Sequence, residues 1–233
     1  MGSMRVWSHR YKADLVALSV VSIWGTSFTF QKVALEQFNV LTFICLRYLG
    51  MLALSWGVLL LHRWKTGESI GIKDGDLPRL ALAGVLGYTF YIPLSTVGLS
   101  YTTPFSNALL IATAPLFAVV LLRALRLEAL RAVQYAGMLV ASIGVMAFLL
   151  PAVRLRISLS VVGDLVSLTA ALFFAAYSVA SKPLLPCYPL PAMMAYTLTI
   201  GTVPVVLSAS PWIFGQHWSV ITSAPAGWRL RGR

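Results

Sequence analysis

The sequence predicts an all-α membrane protein, a polytopic helical bundle of about seven transmembrane helices. Three observations carry that expectation. The 233-residue chain is 58% apolar and only 11% charged, where a soluble chain carries about 25% charged residues. Its apolar residues gather into seven runs, each close to the ~20 residues that cross a hydrocarbon layer ~30 Å thick. The runs are continuous rather than alternating, which excludes a transmembrane β-barrel. The same composition excludes a disordered chain and an ordinary cytosolic domain. The formal charge of +11 has no solvated basic face to sit on, so nucleic acid is not an expected partner.

The first run, Ala13 to Leu35, follows Arg5, Arg10 and Lys12. It is too long for a signal-peptide core and no small-residue cleavage pattern follows it, so it reads as an uncleaved first helix. The second, Val40 to Leu61, contains Arg47. The third, Leu80 to Leu99, contains Pro93, and the fourth, Thr103 to Leu122, contains Asn107 and Pro115. In the fifth, Ala132 to Leu150, Gly137, Ala141 and Gly144 have the spacing of small residues at a helix–helix contact. The sixth runs from Gly163 to Ser181 and the seventh from Pro191 to Ser210. Residues 1–12 read as a cytoplasmic segment, 151–162 as an external linker, and 211–233 as an aromatic and basic tail in which no further span can be drawn. Cys45 and Cys187 are too few for a disulfide framework and have no metal-ligand spacing.

Loop charge gives the orientation. Three Lys or Arg precede the first run, four follow the second (Arg63, Lys65, Lys73, Arg79) and three follow the fourth (Arg123, Arg126, Arg131). The turns after the first and third runs have none, and Arg154 and Arg156 follow the fifth. Positive loops stay on the cytoplasmic side, so the N-terminus is expected inside, in the plasma (inner) membrane of a prokaryotic cell. The basic excess then reflects topology and attraction to anionic headgroups, with the lipid bilayer as the first partner.

An offset of 150 residues superposes Asp14-Leu15-Val16-Ala17-Leu18 on Asp164-Leu165-Val166-Ser167-Leu168. Without a gap, Trp24 then meets Phe174 and Lys32 meets Lys182. Both copies place an acid at the helix start and a lysine eighteen residues later. A five-helix unit makes the second copy enter from the opposite side, an inverted repeat of the kind that holds substrate near the midplane. The alternative is two unrelated helices with similar amphipathic ends.

Trp24-Gly25-Thr26-Ser27-Phe28, Leu46-Arg47-Tyr48, Gly98-Leu99-Ser100-Tyr101-Thr102 and Ala114-Pro115-Leu116-Phe117 occur in this order. Leu127-Glu128, Gln134-Tyr135-Ala136-Gly137 and Gly144-Val145 follow. In order and spacing the chain resembles the EamA-like family of the drug/metabolite transporter superfamily. The resemblance implies ten helices in two inverted five-helix repeats, with a first repeat at 13–150 and the start of a second at 163–210. It implies a permease that exports a small amino-acid-like, nucleoside-like or amphipathic solute by alternating access. The last three helices of that plan are not visible before the basic tail. A truncated or frame-shifted product is therefore expected, with a genuine short variant as the alternative. A non-transporting remnant or scaffold, completed by a partner chain or a second copy, is the competing functional class.

Charged groups in a span are costly and invite a functional explanation. Arg47 reads either as a lock on an anionic substrate or as a side chain snorkelling to Glu36 or the last carbonyls of the first helix. Lys32 reads the same two ways near a helix end. Trp24, Thr26 and Phe28 in the first helix, Tyr88 and Tyr91 in the third, Asn107 and Pro115 in the fourth and Tyr177 in the sixth, together with Arg47, are the candidate substrate-cavity residues. Aromatic faces would take an amphipathic solute and hydroxyls or the amide its polar groups; the alternative for the hydroxyl and small residues is helix packing. Pro93 and Pro115 are expected to permit local bending. His9, His62 and His217 lie outside the runs, so no haem ligand pair or intramembrane Ser-His dyad can be built. There is no Gly-x-Ser-x-Gly, phosphate loop or His-Glu-x-x-His. No enzyme activity, cofactor or metal is expected.

Overall fold

The computed structural model describes residues 2–67, 71–127, 132–155 and 159–214, with side chains at 14–16, 18–67, 71–127, 133–144, 147 and 160–212. Seven helices cover these segments. They are α1 (Gly2–Leu35), α2 (Val40–Thr66), α3 (Leu77–Tyr101), α4 (Pro104–Ala124), α5 (Ala132–Leu155), α6 (Leu159–Ser181) and α7 (Leu190–Phe214). Among the described residues, α2, α3, α4, α6 with the 3₁₀ turn after it, and α7 are long and apolar enough to cross a membrane. The helix ends fall where the local chemistry puts them. The Asn39 side chain accepts from the Leu41 N–H at the start of α2. At its end Gly67 adopts φ +68°, a left-handed conformation suited to glycine, and returns its N–H to Arg63.

Several boundaries differ from the sequence expectation, the largest at α1, which begins at Gly2 within the segment expected to precede the first span. Residues expected in an external linker are largely helical, since α5 continues to Leu155 and α6 begins at Leu159. The seventh helix carries Pro211 and Trp212 within it and ends at Phe214; residues 215–233 lie outside the described residues. The prolines also do more than bend. Pro93 has no N–H and its ring presses on the carbonyl one turn back, and the preceding segment Val85–Tyr91 is π-helical, with the Ile92 N–H reaching Gly87 O. At Pro115, α4 breaks into Pro104–Ile111 and Ala114–Ala124. Thr113 Oγ1 donates to Leu110 O at 2.6 Å across the break.

The packing is organised around α3, α6 and α7. Helix α3 lies against both α6 and α7, α2 runs along α7, and α4 covers α6. α1 rests on the end of α3 and the first half of α4. Close approach is achieved by glycine pairs: a Cβ on Gly84 would meet Thr197 O at 2.5 Å, and one on Gly163 would meet Gly98 O and Thr102 N at 2.9 Å. Without a hydrophobic force between helices in lipid, such backbone proximity supplies the dispersion contact that holds them. Large apolar side chains such as Ile23, Phe30, Leu54, Leu139, Leu165 and Leu207 point outward, as a lipid-facing surface requires. Gly137 and Gly144 differ from expectation: a Cβ on either meets nothing within 4 Å. With Ala141 they border an open groove of about 610 Å³ between α5 and α4.

The two ends of the bundle are tied by different polar groups. At one end, Lys32 Nζ donates to Leu99 O, Ser100 O and Thr102 O at 2.8, 3.0 and 2.9 Å. There the Thr102 and Ser106 hydroxyls donate to Asp164 Oδ1 at 2.5 and 2.6 Å. At the other end, Tyr188 accepts from the Lys73 N–H at 2.9 Å and donates to Asp76 Oδ2 at 3.1 Å. Asp14 lies eighteen residues before Lys32 on α1, about 27 Å away at 1.5 Å per residue. Asp14 and Asp164 therefore stand at opposite ends of the bundle.

Candidate functional site

The site is built on α1, α2, α3 and α6, where aromatic residues recur at turn spacing. Trp24 and Phe28, one turn apart on α1, have ring centroids 6.0 Å apart, and Trp24 stands 6.0 Å from Phe174 on α6. Phe174 stacks on Tyr91 of α3 at 4.6 Å and continues to Tyr177 at 6.4 Å, which meets Tyr88 edge-on at 5.8 Å. Six rings from three helices thus form one ladder, with separations suited to offset and edge contacts. The π-helical stretch contains Tyr88 and Tyr91, so its wider turn sets where the α3 side of the ladder sits. Tyr48 on α2 fixes the back of that side: its hydroxyl donates to Tyr88 O, and its ring is buried with Ile44, Tyr88 and Ile92.

Arg47 brings the charge. Its guanidinium donates to Gln31 Oε1 at 2.7 Å, and Gln31 Nε2 in turn donates to Ser27 Oγ at 3.3 Å. Among the described residues no carboxylate lies within ion-pair distance of Arg47. Neither Glu36 nor the carbonyls at the end of α1 receive it. It is Lys32 that finds backbone carbonyls, those of Leu99 and Ser100 at the end of α3 and of Thr102 just past it.

The structure gathers Trp24, Phe28, Arg47, Tyr88, Tyr91 and Tyr177 into this region. It places the other candidates elsewhere. Thr26 is exposed, and its hydroxyl donates to Ser22 O at 2.9 Å and Ile23 O at 3.0 Å within its own helix. Asn107 is fully buried between α4 and α3, with Nδ2 3.5 Å from Ser95 Oγ and Oδ1 without a partner. Pro115 borders the α4–α5 groove, not the ladder.

Gln31, which the sequence did not single out, and Asp164, which it marked only as the helix-start acid of the repeat, are structurally prominent. Gln31 bridges Ser27 and Arg47; its polar i,i+4 relation to Ser27 was the available signal. Asp164 is buried and holds two hydroxyls at the α3–α4 turn. From sequence it looked like an ordinary acid at a helix start, because nothing in the chain order brings Thr102 and Ser106 to it. Outside the spans, burial and then the neighbouring Asp76 carboxylate push the Tyr188 phenol above its ordinary range, and Lys73 Nζ lies 5.7 Å from its ring centre. Among the described residues no group of three His, Cys, Asp or Glu could hold a metal ion.

Comparison with known proteins agrees with this architecture. An uncharacterized transporter of Bacillus subtilis (strain 168), YdfC, is 25% identical over 189 residues, a stretch covering 81% of this chain and 59% of that relative. The chain thus spans about three-fifths of the length of the curated relative it matches. No solved structure matches it. The model of the EamA-like transporter family matches residues 11–150, from the first helix through most of the fifth. The chain belongs to the EamA-like transporter family.

Proposed function

We propose that this chain exports a small metabolite across the plasma membrane by alternating access, with the solute held against the aromatic ladder. The observation that carries the reading is the ladder itself. It joins α1 and α3, from the first repeat, to α6, from the start of the second. A solute lying on it contacts both moving units, which is what a carrier that rocks one repeat against the other requires. The opposite placement of Asp14 and Asp164 supports the inverted relation of those units. Two features support hinge motion between them: the π-helical turn before Pro93 and the break before Pro115, each a place where regular hydrogen bonding is already interrupted. Export and the solute range rest on family resemblance, with the N-terminus cytoplasmic on loop charge.

The test is counterflow in proteoliposomes. Vesicles containing this chain are expected to exchange a labelled aromatic or amphipathic solute faster than protein-free vesicles, with saturation. Rates equal to protein-free vesicles across amino-acid-like, nucleoside-like and amphipathic solutes would overturn the proposal and favour the scaffold alternative.

A further inference from the structure

We infer that the solute is a monocarboxylate with an aromatic or apolar body, and that Arg47, oriented by Gln31, seats its carboxylate. This rests on the transporter reading and narrows its substrate class. The argument begins with how the charged side chains of the bundle are satisfied. Lys32 has three donors and meets three carbonyl oxygens. Asp164 is met by two hydroxyls. Arg47 has five N–H donors in a planar fork, and among the described residues only the Gln31 oxygen accepts from it. The one ion pair among those residues joins Asp76 and Arg79, at the end of the bundle tied by Tyr188. A guanidinium in a span without an anion is costly, so the remaining donors ask for one.

The surroundings specify that anion further. Gln31 is itself held by Ser27, which fixes one edge of the guanidinium and leaves the fork available for a bidentate oxygen pair. Among the described residues no second cation is shown beside Arg47 for a doubly charged phosphate, because Lys32 is committed to the carbonyls of Leu99, Ser100 and Thr102. No carboxylate among the described residues reaches Arg47, so an ammonium on the same solute would find no counter-charge there. The apolar face for the rest of the molecule is the ladder, where Tyr91 stacks on Phe174.

The probes are N-acetyl-phenylalanine and its amide, which differ in the carboxylate alone. In the full chain in proteoliposomes, phenylglyoxal modification of Arg47, read by peptide mass spectrometry, is expected to be slowed by the acid and not by the amide. Equal protection by both, protection by neither, or an Arg47 that does not react at all would overturn the carboxylate seat. In transport, Arg47→Gln is expected to cut flux of the acid about 10- to 100-fold, the scale of a lost charged hydrogen bond. Arg47→Lys should fall between, since it keeps the charge without the fork. The two readings fail separately. Protection by the acid with no flux of any solute leaves the seat and removes the carrier. Flux of uridine unchanged by Arg47→Gln, without protection, leaves the carrier and removes the seat.

Discussion

Lys32 shows how much a single side chain can carry here. The last carbonyls of a helix have no partner in their own helix, and in lipid each unsatisfied one costs several kcal/mol. Lys32 satisfies carbonyls at the end of α3 from the neighbouring α1. Lys32→Met keeps the length and removes the charge. It should destabilise the protein by about 2–3 kcal/mol, lowering the thermal midpoint in detergent; an unchanged midpoint would show the contacts to be incidental. Trp24 is a contrasting case, 38% exposed on the ladder. Trp24→Ala should leave folded yield nearly intact while raising the KM of a transported solute several-fold, and unchanged kinetics would remove this ring from the site. Tyr188 makes a pH prediction. Its phenol is raised by burial and by Asp76, so the folded state holds its proton more tightly than the unfolded state. The stability this gives is fully present below about pH 10, the ordinary phenol value. It is lost as pH rises through the higher folded value. Limited proteolysis of the α2–α3 loop should therefore accelerate above pH 10, and Tyr188→Phe should already be fast at neutral pH and lose that dependence.

At the scale of elements, the glycines separate packing from mere composition. A Cβ on Gly201 would run into Gly84 O and C and the Tyr88 side chain, whereas one on Gly137 meets nothing within 4 Å. Gly201→Ala should thus force α3 and α7 apart and cost about 1–3 kcal/mol. Gly137→Ala should be neutral or gain up to about 1 kcal/mol from helix propensity. Denaturant titration of the two variants checks both signs. Glycines occur in α5 as well as in α3, α6 and α7, and their spacing does not tell which has a neighbour. Spacing marks a face, and only the opposing helix makes it an interface. The prolines behave alike: Pro93 and Pro115 were legible as interruptions. Whether each becomes a π-turn or a break depends on what packs beside it, as in the bond from Thr89 Oγ1 to Gly201 O at 2.7 Å.

At the scale of the whole molecule, the ends of the bundle make the topology testable. Glu36 and Thr103 lie at the end held by Lys32 and Asp164, and Lys65 at the end of α2 continuing toward Lys73 and Tyr188. In a background with Cys45 and Cys187 replaced, Glu36→Cys and Thr103→Cys should react with an impermeant thiol reagent from the outside of intact cells, and Lys65→Cys only after permeabilisation. Labelling of Lys65→Cys from outside would reverse the orientation inferred from loop charge; labelling of all three from one side would dismantle the bundle described here.

The amino-acid order by itself determined the class of molecule, the order of the seven helices with most of their boundaries, though not the start of α1 at Gly2, and the aromatic character of the candidate site. These follow from the cost of carrying bare backbone and charge into hydrocarbon, which a linear pattern of apolar runs records directly. Only the tertiary structure decided which polar groups meet. Lys32 and Thr102 are seventy residues apart, Thr102 and Asp164 sixty-two. It also left Thr26 facing outward and put Pro115 on another groove. Hydrophobic burial is a property of each segment, whereas a hydrogen bond or a stacked ring needs its partner at a fixed distance, and that distance is set by how the helices cross.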